Sequence, residues 1–302
     1  MAEFSILEEQ SFPRRVLKGF CTPILGPELT TVDSEDRVST AQRWFCDSGY
    51  DFDTTSELPR AGEYLTVACD RLEPRLQLEG DYGNLKLESR KDKNVYAMLA
   101  DFQLPLYVCT SYHNLMQQAL EADRIRQPNL QLLAWNDTLR QKQLRGDKNY
   151  DLAVQASPSH PVVMHWFGQV HDPESLVITE REYMDFLFNI AAFPDSIPPM
   201  IDAALSRTYV LFLGFRLFDI HFQTLLRSIK KNLINNQFVD RHIAVQFVDI
   251  EDGDDKQRQD AEDYLKRYLD QEKISVEVGS PVSFIAALHQ KLKEAADGAA
   301  TA

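Results

Sequence analysis

The chain has 302 residues, with 46 acids against 32 bases and a formal net charge of −14. A field of that sign repels nucleic-acid phosphates and anionic lipid, so neither is expected as a direct partner. The composition, 44% hydrophobic and 26% charged, is that of an ordinary globular protein with one large or two small domains. No apolar run approaches the ~20 residues of a membrane span. The opening MAEFSILEEQSFPRR is acidic and lacks the apolar stretch of a secretory signal, so the expected location is the cytoplasm.

Taken in chain order, seven short runs of aliphatic or β-branched residues predict strands. They are CTPIL (21–25), LPLYVC (104–109), LQLLAW (130–135), PVVMHWF (161–167), TYVLFLG (208–214), HIAVQFV (242–248) and ISVEV (274–278). Runs this continuously apolar belong to strands covered on both faces. The segment from about 32 to 102 has helical spacing throughout and reads as an inserted helical module between the first two strands. Helical patterns then alternate with strands at 112–122, 180–188, 218–233, 261–269 and 284–292. Alternation of this kind predicts an α/β fold, a Rossmann-like, doubly wound, mostly parallel sheet spanning residues 1–292. The acidic stretch 249–263 reads as a solvated surface segment, and residues 293–302, with their AADGAATA ending, as a disordered tail.

Cys21, Cys46, Cys69 and Cys109 are all more than 20 residues apart. There is no Cys-x-x-Cys, hence no zinc ribbon and no expected metal. Cys21 and Cys109 fall in predicted strands and read as small core hydrophobes.

Ligands of open parallel sheets bind beyond the carboxyl ends of the strands, so candidate site residues are sought there. After the first strand stand Gly26, Pro27 and Glu28, a turn that could bring backbone close to a phosphate or could simply turn the chain. After the second stand Thr110, Ser111 and His113, with Thr110 and Ser111 suited to cap a helix starting at Tyr112. The fourth run carries His165 just before Phe167 and Gly168. Strand alternation would point His165 and Phe167 to the same face. Thr179 and Glu182 form a capping-box pair for the helix that follows. The fifth run ends at Gly214 and Phe215, with Asp219 at the next helix start.

In sequence, ILGPELT, LPLYVCTSYHNLMQQAL, MHWFGQVHDPESLVITEREYMDFL and YVLFLGFRLFDIHFQTLLRSI resemble blocks of the sirtuin-like superfamily, most closely its bacterial branch from phage-defence systems. The resemblance covers about residues 14–290. It implies NAD bound across the strand ends and hydrolysed to nicotinamide and ADP-ribose, the effector step of anti-phage defence. A sensor or regulatory protein partner and a homo-oligomer would control it. Deacetylases of the superfamily carry a four-cysteine zinc module, which this chain lacks. The resemblance assigns the NAD-binding positions to Gly26, Pro27, Glu28, Thr110, Ser111, Gly168, Gly214, Phe215 and Asp219, and the catalytic ones to His165, Ser111 and His113.

The chain departs from the family pattern at its reactive positions. Glu28 stands where a pyrophosphate would pass, Ser111 replaces an asparagine, His113 an aspartate, and Phe167 the usual histidine. The alternative is therefore a catalytically inactive module that binds NAD or ADP-ribose as a regulatory or scaffolding subunit. The two expectations divide at His165. A base needs a ring beside a solvent-connected cleft, whereas a fully enclosed ring bonded to backbone favours the binding module.

Overall fold

The seven apolar runs become seven strands, and the ends of several are trimmed by one to three residues. In the computed structural model they are β1 (Cys21–Leu25), β2 (Leu106–Cys109), β3 (Asn129–Leu132), β4 (Val162–His165), β5 (Tyr209–Leu213), β6 (His242–Gln246) and β7 (Ile274–Val278). The structure describes residues 4–9, 11–29, 31–50, 57–87, 94–122, 125–215, 220–246 and 255–300. The strands form one sheet in the order β3-β4-β2-β1-β5-β6-β7. Every adjacent pair is parallel, as continuous apolar runs joined by helices require.

Helices α1 (Ser5–Glu8) and α2 (Ser11–Leu17) precede β1. Between β1 and β2 lie α3 (Thr31–Ser48), α4 (Leu58–Ala68), α5 (Glu73–Tyr82) and α6 (Val95–Ala100). Then follow α7 (Leu115–Glu121), α8 (Asp137–Leu144), α9 (Glu180–Ala192), α10 (Pro199–Leu205), α11 (Ile220–Asn235), α12 (Asp255–Asp270) and α13 (Pro281–Ala300). The last helix continues through residues 293–300, which the sequence reading assigns to a tail. The acidic stretch lies outside the described residues at 249–254 and forms the start of α12 from Asp255.

Alternation along the strands builds two cores, one on each face. Ile24, Val108, Met164, Phe212 and Ala244 face one cluster; Leu25, Cys109, Val163, Leu213 and Val245 face the other. Burying each such side chain contributes about 1.5–3 kcal/mol, so the sheet is held from both sides. The helices between β1 and β2 divide between the faces. Trp44 of α3, Leu65 of α4 and Leu78 of α5 join the first cluster, while Tyr96 and Leu99 of α6 join the second. Cys21 lies in the second core, where burial pushes its thiol up to about 12, so it packs as a hydrophobe.

The capping box at α9 forms as the sequence implies. The Thr179 hydroxyl accepts from Glu182 N–H, and the Glu182 carboxylate accepts from Thr179 N–H. Glu182 also pairs with Arg75 of α5, and both side chains are almost fully buried. This ion pair fastens α5 to the start of α9.

Candidate functional site

The chain runs from β1 outward to β2, β4 and β3 on one side, then crosses to β5, β6 and β7 on the other. The switch point therefore lies at the carboxyl ends of β1 and β5, where open α/β sheets hold ligands. Here the two strand-end turns dock on each other. Gly26 N–H donates to the Leu213 carbonyl at 2.8 Å, and Glu28 N–H donates to the Gly214 carbonyl at 2.9 Å. A Cβ on Gly26 would sit 2.1 Å from the Gly214 oxygen. Gly214 has φ +72°, and a Cβ there would sit 2.3 Å from Leu29 N. The pair is glycine because two backbones touch. This replaces the expectation that Gly26 and Gly214 open backbone to a ligand. Pro27 has no N–H, so none of residues 26–28 offers a free amide to a phosphate. The half-buried Glu28 adds a carboxylate to the same turn.

β2 leaves Thr110 and Ser111 at its end. Thr110 is committed to β1: its N–H and its hydroxyl both donate to the Leu25 carbonyl, at 2.9 and 3.0 Å. Helix α7 begins at Leu115 with Asn114 as its N-cap, so Thr110 and Ser111 are not caps and the expected start at Tyr112 is three residues early. Ser111 is buried, and its Oγ has no hydrogen-bond partner.

β4 ends at His165, whose ring is 0% exposed. Nδ1 lies 3.3 Å from the Ser111 carbonyl, the geometry of an Nδ1–H donor. That tautomer leaves Nε2 as an acceptor, and Nε2 has no partner. Burial pulls the ring down to about 3, although the Ser111 carbonyl acts in the opposite sense. His165 is therefore neutral at physiological pH. The ring presents no surface to solvent. This corrects the expectation that the ring lines an open cleft as a general base. Cys109 is the register partner of His165 in the sheet, and the turn that follows brings the Ser111 carbonyl to the ring.

The parity argument for Phe167 fails for a local reason. The strand stops at His165 and turns at once, so Phe167 swings to the face opposite Val163. Its ring contacts Tyr183 at 5.1 Å, Phe186 at 5.2 Å and His221 at 4.6 Å between centroids. Gly168 has φ +88°, and a Cβ there would meet the Ser175 oxygen at 2.3 Å, so its glycine serves the turn. His113 is held by its own loop and by two tyrosines, near enough to His165 to help lower that ring. It stacks on Tyr82 and meets Tyr96 edge-on, with its Nδ1 accepting from Leu115 N–H at 3.3 Å. Phe215 is buried against Phe222 at 5.2 Å. Asp219 lies outside the described residues.

One group escaped the sequence reading. The Tyr112 hydroxyl donates to the Val177 carbonyl at 2.7 Å and lies 3.2 Å from the Tyr183 hydroxyl. The Tyr183 hydroxyl is 2.7 Å from His221 Nδ1. This buried chain links the loop after β2 to the first turn of α11. No spacing in the sequence pairs these three residues.

A seven-stranded all-parallel sheet flanked by helices defines a Rossmann-like α/β class of protein. Residues 105–274, more than half of the chain, match the SIR2-like domain family, and the chain belongs to that family. No curated protein matches it. Among the described residues no group of three His, Cys, Asp or Glu side chains could hold a metal ion, and no helix is long and apolar enough to cross a membrane.

Proposed function

We propose that this SIR2-like chain binds NAD or ADP-ribose at the carboxyl ends of β2 and β4 and acts as a regulatory or scaffolding subunit. One observation carries the reading. His165 Nε2 at the end of β4 and Ser111 Oγ in the turn after β2 are buried polar atoms of two residues joined by the Nδ1–carbonyl bond, and neither atom has a partner. Leaving such groups unpaired costs about 1–3 kcal/mol each, and a ribose hydroxyl pair supplies what both lack. The fit to NAD is partial, since the turn at Gly26, Pro27 and Glu28 gives its amides to β5 and brings a carboxylate. A ligand reaching His165 requires this enclosed end of the sheet to open.

The second reading is NAD hydrolysis to nicotinamide and ADP-ribose, as the effector of a bacterial anti-phage defence system. It is favoured by the unprotonated Nε2, which is the tautomer a base requires. It is disfavoured by enclosure and by a ring that titrates near 3, far below the working pH at which a base is efficient. In this reading Ser111 and His165 orient water at the ribose, while His113, packed between tyrosines, acts only on the loop. A sensor protein and a homo-oligomer would then control the activity.

Calorimetry with NAD and ADP-ribose, run beside an assay for nicotinamide release, separates the two. Binding without release supports the first reading, release supports the second, and no binding of either nucleotide removes both.

A further inference from the structure

The amino-terminal edge of the sheet, opposite the strand ends described above, carries an exposed surface that the nucleotide site does not use. Arg15 of α2 assembles it. Its carbonyl accepts from Phe20 N–H at 2.9 Å, and its guanidinium donates to the Phe238 carbonyl at 2.8 Å. The same guanidinium lies 5.1 Å from the Tyr209 ring centre. Phe20 and Phe238 are thereby held near one another, yet they are 52% and 61% exposed, and Leu17 beside them is 47% exposed. Scattered apolar residues need no explanation, but a clustered aromatic patch marks a contact surface.

Basic side chains flank this patch, with Asp240 the acid beside Phe238. Arg14, Lys18 and Arg207 are exposed and make no ion pair among the described residues. In a chain of net charge −14, these cations form a local positive field that would steer an acidic partner. Beside Phe238 lies a cleft of about 620 Å³ lined by Asn235, Gln237, Val239, Asp240 and Lys273. The Asn235 and Gln237 amides are exposed. Each can donate to and accept from a peptide backbone.

We propose that this face docks an acidic protein segment, which lays a large apolar side chain against Phe20 and Phe238 and its backbone along the cleft. Arg14, Lys18 and Arg207 select its carboxylates. A lipid surface fits less well, because the cleft is concave and amide-lined and suits a peptide backbone better than a flat sheet of headgroups. This surface is independent of whether NAD is bound or cleaved.

The test uses the full chain against a displayed library of random 16-residue peptides. Selected peptides should be rich in Asp and Glu with an aromatic or leucine anchor. They should bind with Kd of about 1–50 μM, the range of transient signalling contacts. Phe238→Ser and the double variant Lys18→Glu/Arg207→Glu should each weaken them about tenfold or more, as should raised salt. Phe188→Ser, on the exposed face of α9, should bind as the parent does. Circular dichroism verifies folding, and the charge variant decides alone if Phe238→Ser is unfolded. Failure to select acidic peptides, or equal binding by the charge variant, overturns the proposal. So does a transfer of the effect to phosphatidylglycerol vesicles, or to self-association that the charge variant abolishes.

Discussion

His165 should make the protein acid-labile well above the carboxylate range. Its ring titrates at 6.5 in the unfolded chain and at about 3 in the fold. The folded state therefore binds fewer protons, and the contribution is fully present above pH 6.5. It is lost as pH falls from 6.5 toward 3, at up to 1.36 kcal/mol per pH unit. Between pH 7.5 and 5.0 that is a loss of about 2 kcal/mol. His242 adds a similar amount. It is buried, its Nδ1 accepts from Val210 N–H at 3.1 Å, its Nε2 donates to the Leu233 carbonyl at 3.2 Å, and burial lowers it to about 4. Urea unfolding at several pH values should thus lose about 4 kcal/mol over this window, and His165→Gln should remove about half of the slope. An unchanged slope in the variant would show that the ring is hydrated or charged in the fold, and would remove the premise of a sealed, neutral imidazole. The same ring predicts NAD affinity that is flat from pH 5.5 to 8.5. A limb near pH 6–7 that disappears in His165→Gln would instead restore His165 as a general base.

Ser111→Ala should lower NAD affinity by about 1 kcal/mol, roughly fivefold by calorimetry, and raise the unfolding midpoint of the ligand-free chain, because it removes a buried hydroxyl that has no partner. Gly168→Ala places a methyl 2.3 Å from the Ser175 oxygen at φ +88° and should cost about 2 kcal/mol or more in thermal or urea unfolding. Arg75→Ala strands the buried Glu182 carboxylate and should destabilise by about 3–5 kcal/mol, whereas the exposed Arg60–Glu180 pair should cost under about 1 kcal/mol when broken.

The inner strands were legible because they are buried on both faces, so composition alone marks them; β1 keeps the bounds read from CTPIL, and even the half-buried edge strand β7 keeps those of ISVEV. The capping box was legible because its two bonds are local in sequence. What failed was whatever depended on where a strand stops. A ladder hydrogen bond still reaches Trp166, whose N–H donates to the Cys109 carbonyl at 2.8 Å, but the chain has already begun to turn. One residue of turn was enough to send Phe167 to the other core. The purpose of Gly26 was illegible for a different reason: its contact is Gly214, nearly 190 residues on, and a glycine looks the same whether ligand or backbone fills the space it leaves.

The end of β4 shows why a changed residue at a reactive position need not mean a decayed fold. Phe167 stands where the resemblance led to an expected histidine, and it is fully buried against Tyr183, Phe186 and His221. A histidine there would face three rings at about 5 Å and would compete for the Tyr183–His221 hydrogen bond. The polar work has moved to the cage wall, where Tyr183 bridges Tyr112 and His221. Tyr183→Phe keeps the ring contacts and deletes only that bridge. If the bridge merely packs, the variant should lose about 1 kcal/mol of stability and bind NAD as the parent does. If it holds the loop that carries Ser111, stability should fall by the same amount and NAD affinity should drop several-fold with it, while Phe186→Leu, on the other side of the same cage, lowers stability alone. A Tyr183→Phe chain with unchanged affinity would confine the relay to structure and leave Ser111 positioned by its own carbonyl bond to His165.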